Sequence, residues 1–274
     1  MDEAHGAHFP FSSAFPASAL SQGADVVVQS LHKTLPAPSQ CAVLHVKGHR
    51  VDVKKLKFFI NTVQTSSPSY ILMSVCDYML RMLWSEPAHF ETYLQRLENL
   101  RGGLPGERSG AALRLSGFER VGAHGIYDID PGKLLFTAHS NIDAETIANM
   151  MAADHKMQME MAAGRHILAM TSVADTDEGF ERLVAAIDAL NATLPPPRHC
   201  GLDPQSPSFF LPEMVIPPRQ AVNLPSKIIP WEKAAGQVSA QLIAQYPPGI
   251  ALVAPGERIP KGLPQIYSHV CVLT

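Results

Sequence analysis

The chain has 274 residues, 46% of them hydrophobic, and a formal net charge of −3, a composition ordinary for globular protein and long enough for two or three units. That charge excludes the electrostatic footprint of a nucleic-acid binder. No apolar run approaches the roughly 18 residues of a membrane span, and the N-terminus lacks the basic-then-apolar order of a secretory signal. The cysteines Cys41, Cys76, Cys200 and Cys271 are scattered and form no C-x-x-C pair. This argues against a structural zinc site and a disulfide framework, and it makes buried free thiols in a reducing cytoplasm the expectation.

In chain order, Val26 to Gln29 and Cys41 to Val46 barely alternate, so they read as strands buried on both faces of an α/β sheet. Residues 70–100 read as helix, with Leu72, Val75, Met79, Met82 and Leu83 on one face and Phe90, Leu94, Leu97 and Leu100 continuing it. Pro87 interrupts this run, and Gly102-Gly103-Leu104-Pro105-Gly106 ends it. Residues 106–195 read as a second α/β unit. Its predicted strands are Leu134 to Ala138 and His166 to Thr171. Between them Ile147, Met150, Met151, Met157 and Met161 fit one amphipathic helix, a methionine stripe that serves as core filler. Asp175 and Glu178 resemble a capping box, and Phe180, Leu183, Val184, Ile187 and Leu190 follow at helical spacing. A proline-rich, extended linker is expected over 196–218. In the last segment, 219–274, Lys233 to Tyr246 reads as helix and Gly249 to Ala254 as strand.

The most informative stretch is Ser30-Leu31-His32-Lys33-Thr34, directly after the apolar run Val26-Val27-Val28. A lysine just past a strand end, flanked by histidine and hydroxyl residues, suits an amine that must form a Schiff base. Upstream stands Asp2, in Asp2-Glu3-Ala4-His5-Gly6-Ala7-His8. An acid on one strand end and a lysine on a later one is the pair that holds pyridoxal phosphate, the lysine for its aldehyde and the acid for its pyridinium nitrogen. A carboxylate beside that nitrogen favours the protonated form.

These blocks, with Gly23-Ala24-Asp25, Gln29 to Leu35, Thr65-Ser66-Ser67-Pro68-Ser69-Tyr70, Tyr246-Pro247-Pro248-Gly249-Ile250 and Ala254-Pro255-Gly256-Glu257-Arg258-Ile259, resemble the ornithine/lysine/arginine decarboxylases in order and spacing. The resemblance spans nearly the whole chain. It implies the aspartate-aminotransferase type of fold, with a mostly parallel sheet in part of a large cofactor-binding domain (1–105). A small α/β domain (106–195), the linker (196–218) and a C-terminal α+β unit (219–274) would follow. It implies pyridoxal 5'-phosphate as cofactor and arginine, lysine or ornithine as substrate, each losing carbon dioxide to leave an amine. Lys33 and Asp2 take the catalytic places. His5 is expected near the cofactor's phenolic oxygen, and Ser30 and His32 at its phosphate. Thr65 or Ser66 would reach the phosphate of a neighbouring subunit, and Glu257 the basic end of the substrate. His8 is left in the loop.

The chain departs from the pattern in beginning at Met1, directly before Asp2, where roughly half of the family's length is expected to precede. The resemblance is therefore to a C-terminal portion. Such a chain is expected to be inactive or nearly so alone, and to act as a dimer or higher oligomer, or with a chain that supplies the missing half. A catalytically inactive remnant or interaction subunit is the alternative. Two other readings are weaker. Asp2-Glu3-Ala4-His5 also spells a helicase Walker B motif, but Gly132-Lys133-Leu134 lacks the glycine spacing and hydroxyl of a phosphate loop. Asp2, His5 and His8 could ligate a metal, but no third histidine accompanies the pair, and that reading leaves Lys33 unexplained.

Overall fold

The computed structural model describes residues 1–106, 109–122, 125–139, 142–195, 211–245 and 250–274. They fall into two compact units, Met1–Arg198 and His199–Thr274. Cys200, most of the expected linker and the Tyr246 to Gly249 part of a family block lie outside the described residues. Cys41, Cys76 and Cys271 are free thiols, and Cys41 is buried.

The first unit opens with β1 (Val26–Ser30), α1 (Leu31–Thr34) and β2 (Ala42–Val46). β1 and β2 form a two-stranded antiparallel sheet, Val26 opposite Val46 and Ser30 opposite Ala42. The expected parallel sheet is thus corrected here. The connection between the strands holds only the single turn of α1, and a parallel crossover takes about a dozen residues or more, usually with a full helix. The only parallel partner of β1 among the described residues is the segment Met1 to Ala4, joined at an Asp2–Val28 bridge. Burial on both faces is also corrected. β1 alternates, burying Val27 and Gln29 and leaving Val28 at 39% exposed, and β2 buries none of its residues.

Three helices follow, α2 (Val53–Val63), α3 (Tyr70–Ser85) and α4 (Ala88–Gly103). The sequence reading omits α2, although Asp52 caps it by accepting from the Lys54 and Lys55 N–H groups. Ser69 caps α3 by accepting from Leu72 N. The expected break falls at Pro87, which has no N–H to continue the α3 ladder. Phe90, Tyr93, Leu97 and Leu100 of α4 are all buried.

The remainder of the unit is an antiparallel sheet in the order β3 (Leu113–Leu115), β4 (Lys133–Ala138), β6 (His166–Met170), β5 (Met161–Ala163). α5 (Ala144–His155) and α6 (Asp177–Thr193) pack on it. Leu134, Phe136 and Ala138 alternate inward along β4 with no exposure, meeting Ile147 of α5 and Ile187 of α6 in one core. Two expectations are corrected. α5 ends at His155 because Lys156 turns left-handed at φ 57°, so Met157 lies beyond it and Met161 belongs to β5. Thr176, not Asp175, caps α6 by accepting from Gly179 N, while the Asp175 carboxylate accepts from Ser172 N at 2.6 Å.

The second unit contains α7 (Pro218–Ala221), β7 (Ser226–Pro230) paired antiparallel with β10 (His269–Leu273), and β8 (Ile243–Gln245) paired antiparallel with β9 (Ile250–Val253). The predicted strand at Gly249 to Ala254 corresponds to β9. The predicted helix from Lys233 does not form. Gly236 at φ 83° breaks it, and Val238 and Ser239 bridge Arg258 and Val272 instead, which leads into β8 with Ile243 fully buried.

Candidate active site

The site grows from the edge of β1. Glu3 N donates to Val28 O at 2.9 Å, Val28 N to Met1 O at 3.1 Å and Ser30 N to Ala4 O at 3.2 Å, so residues 1–4 run beside the strand. That register delivers His5 to the end of β1, where α1 begins. Lys33, in the single turn of α1, brings its Nζ to 3.1 Å from His5 Nε2. α1 is pinned from behind: Leu31 N donates to Cys41 O at 2.9 Å, and His32 Nδ1 donates to the same oxygen at 2.8 Å.

A polar network holds the acidic segment. Glu3 accepts from Gln29 Nε2 at 2.5 Å, Ser18 Oγ at 2.8 Å and Ala19 N at 2.7 Å. Gln29 Nε2 also donates to Gly6 O at 3.3 Å, and Gln29 Oε1 lies 3.0 Å from His45 Nε2. Gly6 is required there, because a Cβ would stand 2.5 Å from Glu3 Cγ and 2.7 Å from the Phe9 ring.

His5 is the electrostatically perturbed group. Burial lowers its pKa below the ordinary 6.5, and the charges of Lys133 and then Lys33 lower it further, while Glu160 and Asp130 act the other way. A neutral imidazole can accept the N–H of Lys33 through Nε2. Lys133, Asp130 and Glu160 are therefore part of the surroundings of His5. The sequence reading missed them, since nothing in local spacing ties residues 130–160 to residue 5.

The structure brings together Lys33 and His5, with Ser30 and His32 adjoining in chain. Asp2 sits at the outer edge, exposed, its Oδ1 accepting from Ala4 N at 2.9 Å. The Ser30 hydroxyl does not cap α1, and His32 commits only Nδ1. Both therefore have polar capacity left for an anion. Thr65 and Ser66 are exposed between α2 and α3, where Thr65 Oγ1 accepts from Ser67 N at 3.1 Å. Nothing among the described residues joins them to Lys33. Glu257 belongs to the second unit, where its Oε2 accepts from Ala254 N at 2.7 Å and closes a turn.

Residues 1–149 match the family model described as Orn/Lys/Arg decarboxylase, major domain, and residues 206–273 match the one for the C-terminal domain. An arginine decarboxylase of Bacillus cereus is 30% identical over 270 residues, which cover 98% of this chain and 58% of that protein. The constitutive lysine decarboxylase of Escherichia coli is 24% identical, with 85% of this chain and 43% of that one covered. The solved structure of the Escherichia coli protein superposes with a TM-score of 0.68 at 18% identity, covering 91% of this chain and 49% of that one. A lysine decarboxylase of Francisella novicida gives 0.67 at 17%, with the same coverages. The chain spans about half the length of the curated relatives it matches.

Proposed function

The chain belongs to the Orn/Lys/Arg decarboxylase family, and from that premise we propose that it is the lysine-bearing portion of a pyridoxal-phosphate-dependent decarboxylase of arginine, lysine or ornithine. The observation that carries this reading is the 3.1 Å approach of Lys33 Nζ to His5 Nε2 at the end of β1.

The groups present fit the cofactor. Lys33 offers an amine for its aldehyde, and Asp2 a carboxylate for its ring nitrogen. His5 offers an imidazole for its phenolic oxygen. Ser30 and the free side of His32 offer a hydroxyl and an imidazole for its phosphate. When bound, the cofactor supplies the sink for the electrons left at Cα as carbon dioxide departs. The work of the chain's own residues is positioning and proton control. Cys41 O clamps α1 through Leu31 and His32, which fixes the stem of Lys33. His5 stays neutral at pH 7 and accepts from the Lys33 amine, orienting it. An amine attacks only when neutral, and the charge of Lys133 works against a proton on the His5 ring that faces it. Glu257 is our candidate for the basic end of the substrate, and Thr65 or Ser66 for a phosphate in a neighbouring subunit.

The protein acts with a partner in this reading. Phe58 and Phe59 on α2, and Tyr70, Ile71, Tyr78 and Trp84 on α3, are all more than half exposed, and exposed apolar groups that gather on helices are a mark of surfaces that take a partner. A second copy, or a chain carrying the rest of the decarboxylase, would cover it, and the isolated chain is expected to turn over little or no substrate. The same surface supports the second reading, an inactive interaction subunit. The separating experiment is the visible spectrum of the purified chain with pyridoxal phosphate, beside Lys33→Ala. A Lys33-dependent band supports the enzyme-derived site, and amine production from the three substrates is measured next. Absence of the band, with the partner present, would leave the interaction subunit.

A further inference from the structure

His8 is buried, 3% exposed, and wedged edge-on against the rings of Phe9 and Phe15 at 4.9 and 4.6 Å. Its Nε2 lies 3.2 Å from Asp130 Oδ2, in the turn that leads into β4. The same oxygen lies 3.3 Å from Lys133 Nζ, and Oδ1 accepts the Gly132 N–H at 2.9 Å. Burial pushes the Asp130 carboxyl up, but the contacts with His8, Lys133 and the Gly132 N–H outweigh it and hold the group below its ordinary range. Asp130 therefore stays charged in an apolar setting. A buried ion pair contributes little net stability compared with apolar packing of the same volume, so stability alone does not account for this cluster.

Its placement does. His8 ends the loop that begins at His5. Gln29 holds the middle of that loop through Gly6 O. Asp130 holds its far end through His8, and the same carboxylate fixes the amine of Lys133, whose field reaches His5. The charged groups facing His5 among the described residues are Lys33 from α1, Lys133 from β4, Asp130 from the turn before β4, and Glu160 from the segment before β5.

We propose that Asp130 is a positioning residue for the Lys33–His5 pair: from the turn before β4 it clamps both His8 and Lys133, and so fixes the loop that carries His5 against the lysine. The proposal rests on the reading of Lys33 given above, but its main readout needs no cofactor.

The test is a histidine-labelled NMR titration of the full chain. Asp130→Asn alone strands the buried Lys133 charge and is at risk of unfolding, so the decisive variant is Asp130→Asn/Lys133→Met, which removes both charges. The effect of Lys133 on His5 exceeds that of Asp130, so the His5 midpoint is expected to rise toward 6.5. The pH midpoint of any Lys33-dependent cofactor band should shift as well, and the His5–Lys33 proximity should weaken. A folded double variant that keeps the parent's His5–Lys33 proximity would overturn the proposal whatever its His5 midpoint, because loss of the Lys133 charge by itself moves that midpoint. Should it not fold, His8→Phe releases the loop from Asp130 while leaving Asp130 and Lys133 in place; weakened His5–Lys33 proximity is expected there, and unchanged proximity overturns the proposal equally. A parent chain without a Lys33-dependent band would count against the proposed function, while the His5–Lys33 proximity still decides the role of Asp130.

Discussion

Two helical regions of the first unit both carry apolar residues at helical spacing and meet opposite fates. α4 and α6 bury their periodic residues, Phe90, Tyr93, Leu97 and Leu100 on one and Phe180, Leu183, Ile187 and Leu190 on the other, around the four-stranded sheet. α2 buries none of its residues, and α3 only Met79 and Leu83. Phe58 is 67% exposed and Ile71 77%. Apolar periodicity specifies a helix and a face, but it does not say what covers the face. Where a sheet follows within the chain, the face closes on it. Where none does, the face stays available to another chain.

The strongest way to break this contrast is to open the closed region. Phe136→Ala removes a fully buried ring from β4 and should cost about 3–5 kcal/mol, read as a lower denaturant midpoint. A loss below about 1 kcal/mol would mean the sheet core is not closed. The open region is expected to answer differently. Phe58→Ser/Phe59→Ser should leave the unfolding midpoint nearly unchanged while weakening self-association in sedimentation, since each apolar side chain buried between chains contributes about 1.5–3 kcal/mol. Unchanged association would remove these residues from the interface.

Two smaller effects sharpen the picture. Thr176→Ala deletes the α6 cap and should cost about 1 kcal/mol, whereas Asp175→Ala leaves that cap in place, so comparing the two locates it. Acid should also destabilise the unit. His5 and His166 titrate below 6.5 in the folded chain, burial being the main cause for each. As pH falls below about 6.5 the unfolded chain takes up these protons first, so stability falls progressively until the lower folded-state values are passed. Replacing both with glutamine should flatten that part of a stability–pH curve.

The parts legible in the sequence are those governed by neighbours along the chain. Pro87 separates α3 from α4, the alternation of Leu134, Phe136 and Ala138 marks β4, and the Lys33 and Asp2 blocks stand in recognisable order. What was not legible depends on distant pairing. Valines 26 to 28 do not reveal whether the neighbouring strand runs parallel or antiparallel, and the shortness of the α1 connection decides it. Residues 238–245 look helical until Gly236 and the partners Arg258 and Val272 take them into bridges. The His8–Asp130–Lys133 cluster unites a loop at the start of the chain with a turn far along it, and no local pattern signals that contact.

The most direct test of the central claim is to mix the purified chain with pyridoxal phosphate, reduce with borohydride and map the cofactor by peptide mass spectrometry. The account predicts label on the peptide carrying Lys33, and its loss in Lys33→Ala. Label spread over exposed lysines, unchanged by that substitution, would contradict the assignment of Lys33 as the cofactor lysine.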